Sequence, residues 1–89
     1  IKIMALEMYN GAIPTKYKNA EISIIVEDDE ITTAMVFMDG ECVYRTDDIN
    51  LPFNGKNNSE IKRMCRAIVD KELAEDGRTE CTDMTLVRR

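Results

Sequence analysis

Eighty-nine residues, 44% hydrophobic and 33% charged, suffice for one folded domain with a modest core and exclude a disordered chain on composition. Seventeen acids against twelve bases leave a net charge of −5, which opposes general nucleic-acid affinity, since a binder must displace counterions from phosphate with positive charge. There is no histidine, which removes Ser-His and Cys-His nucleophile pairs and histidine-containing zinc sites, and no apolar run reaches the roughly 20 residues that span a bilayer.

Residues 1–8 are apolar at nearly every position and predict a strand covered on both faces, with a short helix as the alternative. Residues 10–20 contain Asn10, Gly11 and Pro14; proline cannot donate to a sheet ladder, so a loop with at most an edge strand is expected. Residues 21–46 read as three antiparallel strands joined by two tight turns. Asp39 and Gly40, flanked by alternating residues, signal a two-residue type I′ hairpin. Without interruption it would set Met38 opposite Glu41, Phe37 opposite Cys42, Val36 opposite Val43 and Met35 opposite Tyr44. The acidic turn before it lies between Val26 and Ile31, and would set Ile24 opposite Thr33 and Ile22 opposite Met35.

Side chains alternate with period two, so these registers divide the three strands into two faces. One face, the expected core, collects Ile22, Ile24, Val26, Ile31, Thr33, Met35, Phe37, Cys42 and Tyr44. The other collects Ser23, Ile25, Thr32, Ala34, Val36, Met38 and Val43, edged by Glu21, Glu41 and Arg45.

A turn-rich segment, 47–58, leads to a helix capped by Asn57 or Ser59 and ended by Gly77. Ile61, Met64, Cys65, Ile68 and Val69 follow the spacing of one helical face. Glu72 and Glu75 then interrupt the stripe and Leu73 is displaced from it, so the last turn and a half is expected to overhang the sheet. Residues 79–87 alternate around Met84 and Leu86 and predict a final strand. The order β-β-β-β-α-β implies a single α+β domain over 1–89, with a mostly antiparallel four- to five-stranded sheet and one amphipathic helix packed on one face.

Three cysteines, Cys42, Cys65 and Cys81, form no C-x₂-C pair and read as structural thiols in a reducing, cytoplasmic setting, with Cys42 and Cys65 in the core. Four glycines make no phosphate loop. No catalytic, metal or cofactor site is therefore expected. The acidic turn of Glu27, Asp28, Asp29 and Glu30 lacks the alternating ligands and glycine bend of a calcium loop; its functional reading is a negative prong for a basic partner, aided by Asp39, Glu41, Asp47 and Asp48. Lys62, Arg63 and Arg66 crowd the start of the helix and acids its end, against the macrodipole, which marks them as a candidate contact for an acidic partner or phosphate.

The second sheet face, with Ile25, Ala34, Val36, Met38 and Val43, is the main candidate, because one helix covers one face only and an open apolar face marks a partner surface or a homodimer interface. The alternative is that the loop of the N-terminal strand, or Met4, Leu6 and Met8, folds over it. The expected function is a small non-enzymatic, acidic protein-binding domain, a regulator or inhibitor of a basic or nucleic-acid-binding protein. The second expectation is a nucleic-acid-binding or nucleic-acid-mimicking accessory protein, using Lys16, Tyr17 and Lys18 with the helix cations; the net charge weighs against it.

Overall fold

Three hairpin turns organise the chain, and each has both central residues in the left-handed region: Lys18 and Asn19 (φ 51° and 65°), Asp28 and Asp29 (51° and 64°), Asp39 and Gly40 (55° and 85°). That is the type I′ geometry whose twist matches paired strands, and Asn, Asp and Gly tolerate it best. The turns join β1 (Gly11–Tyr17), β2 (Ala20–Glu27), β3 (Glu30–Met38) and β4 (Glu41–Thr46) into an antiparallel meander. A short β5 (Leu51–Pro52) pairs with the start of β3, beyond the end of β4, and α1 (Gly55–Glu75) follows. The structure, a computed structural model, describes residues 9–84. It is an α+β fold, a five-stranded antiparallel sheet with one helix packed on it.

Residues 10–20, where a loop with at most an edge strand is expected, supply the edge strand β1. Its proline is accommodated because, among the described residues, β1 is an edge strand paired with β2 alone, so one missing donor costs no ladder on its other side. The strand expected over 1–8 lies outside the described residues. The strand expected over 79–87 is absent over 79–83; the rest of that expectation, past Met84, lies outside the described residues.

Two bulges change the faces. Val26 opposes Ile31 as expected, but Ile25 then opposes Thr33, leaving Thr32 as an extra residue, and Ile24 meets Ala34 and Ile22 meets Val36. In the next hairpin Phe37 opposes Cys42 but Val36 opposes Tyr44, with Val43 extra. From Thr33 onward β3 is therefore turned over relative to the uninterrupted register. Ala34, Val36 and Met38 point into the core, at 0%, 0% and 4% exposure, while Thr33, Met35 and Phe37 point away from it. The second bulge brings Tyr44 back to the core side and leaves Cys42 exposed, not buried as expected.

The core joins Ala20, Ile22, Ile24 and Val26 of β2 and Ile31, Ala34, Val36 and Met38 of β3 to Ile61, Cys65, Val69 and Leu73 of α1. The four helix residues recur at every fourth position, a single ridge laid over the sheet. Met64, expected on this stripe, is 37% exposed, and Ile68 is half-buried at its flank. Leu73 is 2% exposed, so the last turn does not overhang: it belongs to the same buried cluster as the sheet residues and Cys81.

The helix begins earlier than expected. Asn54 is the cap, extended at φ −149°, and its side-chain oxygen accepts the Asn57 N–H at 2.8 Å; Asn57 instead donates its side-chain amide to the Pro52 carbonyl. At the other end Gly77, at φ 67°, lets its own N–H bond Ala74 O at 3.1 Å and the Arg78 N–H bond Leu73 O at 2.9 Å. These two bonds satisfy carbonyls that the helix would otherwise leave open.

Candidate interaction surface

The sheet face away from α1 follows from the ladders. Tyr17 reaches the helix, its hydroxyl donating to Asp70 at 3.0 Å, so its neighbour Lys16 lies on the opposite face. Cross-strand partners share a face, which gives rows running over the sheet. One row is Ala12, Ile25 and Thr33; the next is Pro14, Ser23, Met35 and Arg45; the third is Lys16, Glu21, Phe37 and Cys42. Glu27 and Glu30 form a last pair at the acidic turn. Ile25, Met35 and Phe37 are half-buried, Pro14 is exposed, and Ser23, in the middle of the second row, is only 9% exposed. An apolar band thus crosses the face, with charges toward both ends.

Those charges are partly matched. Arg45 bonds the Asp47 carboxylate at 3.2 Å, which also accepts the Thr33 hydroxyl at 3.2 Å; the pairing raises the Arg45 pKa and lowers that of Asp47. Lys16 and Glu21 oppose one another across β1 and β2. Glu27 and Glu30 face each other as like charges, so the end of the face at the acidic turn is its most negative part.

Of the expected apolar contact residues, Ile25 alone lies on this face as anticipated, together with Ser23 and the edging Glu21 and Arg45. Ala34, Val36 and Met38 are corrected to the core by the bulge at Thr32, and Val43 is the extra residue of the second bulge, 40% exposed beside the face. Met35, Phe37 and Pro14 were missed as surface residues. The one signal available was the adjacent pair Thr32 and Thr33, the sole polar point of β3 between Ile31 and Met38, where an additional residue is tolerated.

The acidic turn does more structural work than a free prong would. The Asp28 N–H donates to the Asn10 side chain at 2.9 Å, and the Asp29 carboxylate accepts the Tyr9 N–H at 2.7 Å. The Asp29 backbone adds bonds to Tyr9 O and from the Phe53 N–H, and the rings of Tyr9 and Phe53 stack with centroids 5.3 Å apart. Glu27 and Glu30 remain exposed on either side. Among the described residues no group of His, Cys, Asp or Glu is arranged to hold a metal ion.

On the helix, Lys62, Arg63 and Arg66 are separated by function. Arg66 lies over the Tyr17 ring, 6.0 Å from its centroid, next to the Lys18 and Asp70 ion pair of 2.8 Å. That pair raises the Lys18 pKa and, with the Tyr17 hydroxyl, lowers that of Asp70. Lys62 is half-buried and Arg63 exposed, and neither forms an ion pair among the described residues.

The chain after α1 crosses the end of the sheet between two hairpin turns. Cys81, buried on the helix side, donates its N–H to Lys18 O at 2.9 Å and accepts the Asn19 side-chain amide at 3.2 Å. Asp39 binds the Arg78 guanidinium and accepts the Thr82 N–H at 2.7 Å, which together hold its carboxyl below the usual carboxylate range. Met84 then lies at the open face, lining a shallow depression of about 240 Å³ with Lys16, Glu21, Phe37 and Gly40.

No protein-family model, curated protein or solved structure matches this chain. Among the described residues no helix is long and apolar enough to cross a membrane.

Proposed function

We propose that the chain is a small non-enzymatic protein-binding domain, a regulator or inhibitor, whose contact surface is the sheet face opposite α1. The observation that supports this most directly is the band of Pro14, Ile25, Met35 and Phe37 across three strands, apolar but framed by carboxylates. Apolar area in the middle and charge at the rim is the usual anatomy of a protein contact. Glu21, Glu27, Glu30 and Asp47 outnumber Lys16 and Arg45 on the face, which favours a basic partner. Three cysteines without a disulfide suit a reducing, cytoplasmic setting.

The test is affinity capture by the wild-type chain and by Met35→Asp/Phe37→Asp, with Arg63→Glu as a control on the helix. The reading expects a basic partner to be lost with the sheet variant and kept with the control. Equal capture by both variants overturns it, as does capture of nucleic acid that only Arg63→Glu abolishes. A wild-type dimer that the sheet variant converts to monomer would replace the foreign partner by a second copy.

A further inference from the structure

Resting on the reading of the open face as the seat of a basic partner, we propose that the depression at its third row is a notch for one arginine side chain of that partner. Two hairpin turns frame it. Lys16, Glu21 and Phe37 stand side by side on β1, β2 and β3, Asn19 belongs to the first turn, and Asp39 and Gly40 belong to the third. Met84, at the end of the strap that crosses between these turns, closes the remaining side. Its Cε lies 3.4 Å from where a Cβ on Gly40 would stand, so the bare turn is what lets the thioether settle there. The walls are held by bonds of their own. Asp39 is taken up by Arg78 and the Thr82 N–H, and the Asn19 side-chain amide donates to Cys81 O at 3.2 Å. The middle is not. Lys16 and Glu21 are exposed and directly opposed across the ladder, yet neither forms an ion pair among the described residues. The Glu21 carboxylate thus stands beside an aromatic ring and a thioether without a bonded cation.

Size, charge and shape select arginine. At about 240 Å³ the depression is smaller than the roughly 300–1,000 Å³ of small-molecule sites, so it takes a single side chain rather than a whole cofactor. The face of an aromatic ring is negative and attracts cations. An anion drawn to Lys16 would meet that ring and two carboxylates, Glu21 and the already paired Asp39. Of the two long basic side chains, arginine is planar and weakly hydrated, and can lie on a ring while giving two hydrogen bonds to one carboxylate. Lysine is a strongly hydrated point charge and gains less from the ring. Arginine seated in a pocket beside an apolar patch is also a common anchor of protein contacts. Lys16, on the edge strand, repels the incoming charge, and this gives the notch its signature. Neutralising either of two opposed neighbours, Glu21 or Lys16, changes arginine binding in opposite directions.

The experiment titrates N-acetylarginine amide into the full chain while the NMR resonances of the Phe37 ring and the Met84 methyl are followed, with the lysine and citrulline amides as comparisons. The expected result is saturable binding of the arginine amide that moves both resonances, weaker binding of the lysine amide, and none of the uncharged citrulline amide. Glu21→Gln should weaken arginine binding roughly tenfold, the weight of a hydrogen bond to a charged group, while Lys16→Gln should strengthen it. Both side chains are exposed, so these variants keep the fold. Phe37→Leu keeps apolar bulk without the ring and should also weaken binding. Equal binding of the citrulline amide, loss of binding with Lys16→Gln, or resonances that stay fixed overturn the proposal. The capture assay separates the notch from the wider face. Capture lost with Met35→Asp/Phe37→Asp but unchanged by Glu21→Gln, with no arginine amide bound, keeps the contact face and removes the notch. Arginine amide bound as expected, with capture that survives Met35→Asp/Phe37→Asp, keeps the arginine site and removes the face as the seat of the captured protein.

Discussion

Val36 and Phe37 are neighbours in sequence and should respond to the same substitution in opposite ways. Val36 is 0% exposed, between Ile22 and Tyr44 on the ladders and beneath α1. Val36→Asp forfeits the burial of a valine, about 1.5–2 kcal/mol. It also sets a carboxyl among apolar groups with no partner, about 2–7 kcal/mol even when protonated. A domain of 89 residues, at about 0.05–0.15 kcal/mol per residue, has on the order of 4–13 kcal/mol to lose. Val36→Asp is therefore expected to unfold the protein or to remove most of its urea midpoint. Phe37 is half-buried on the other face; Phe37→Asp loses about 1 kcal/mol of apolar contact and gains a few tenths of repulsion from Glu21 opposite. It should fold with an unchanged m-value. Urea unfolding followed by far-ultraviolet circular dichroism measures both. A folded Val36→Asp beside an unfolded Phe37→Asp would mean that β3 pairs without its extra residue at Thr32, and the whole assignment of faces would be inverted.

The helix offers two further checks. Asn54→Ala removes the cap and should cost about 1 kcal/mol, a fall of roughly 4–8 °C in Tm, whereas Ser59→Ala should leave Tm nearly unchanged. Leu73→Ala should cost about 2–5 kcal/mol; a loss well under 1 kcal/mol would return the last turn to solvent. With a thiol reagent under native conditions, Cys42 should react first and alone, because Cys65 and Cys81 are buried and burial raises their pKa; two fast thiols would contradict the packing. Asp39 supplies a pH signature. Its folded-state pKa is lowered, so its stabilisation is present above its ordinary value of 3.8 and is lost as pH falls below that through the folded-state value. Asp39→Asn keeps a residue that tolerates φ 55° but should flatten that part of the stability curve, and an unaltered acid limb would show that the strap is held by other contacts.

Much of the fold was legible because turn chemistry and helical period are local. Asp39 with Gly40 needs positive φ at both positions, and so signals its hairpin from two letters. The ridge of Ile61, Cys65 and Val69 announces a helix from its spacing. The first hairpin was less legible for an equally local reason. Asn10 with Gly11 has the stronger turn composition, but the turn forms at Lys18 and Asn19, where only Asn19 carries a preference for the left-handed region. Pro14 argues against a central strand and leaves an edge one open, and β1 is the edge strand of the order.

The contact face was less legible than the fold, and the cause lies in β3. A strand advertises its register when one face is apolar and the other polar, as β2 does with Ile22, Ile24 and Val26 against Glu21, Ser23 and Glu27. In β3 both alternating sets are largely apolar: Ala34, Val36 and Met38 on one, Met35 and Phe37 on the other. Alternation then gives nearly the same burial for either register, and the choice falls to details outside the pattern. The structure shows one of these at the bulge. The Ile49 N–H donates to Thr32 O at 3.1 Å, from the irregular stretch between β4 and β5 where Asp48 and Asn50 are both left-handed. The extra residue is satisfied by a segment whose position no strand pattern could supply. The same double-sided apolarity that hid the register is also what places Met35 and Phe37 outside the core. A sequence optimised only for folding would keep polar groups there, so the ambiguity of β3 and the proposed contact face have one physical origin.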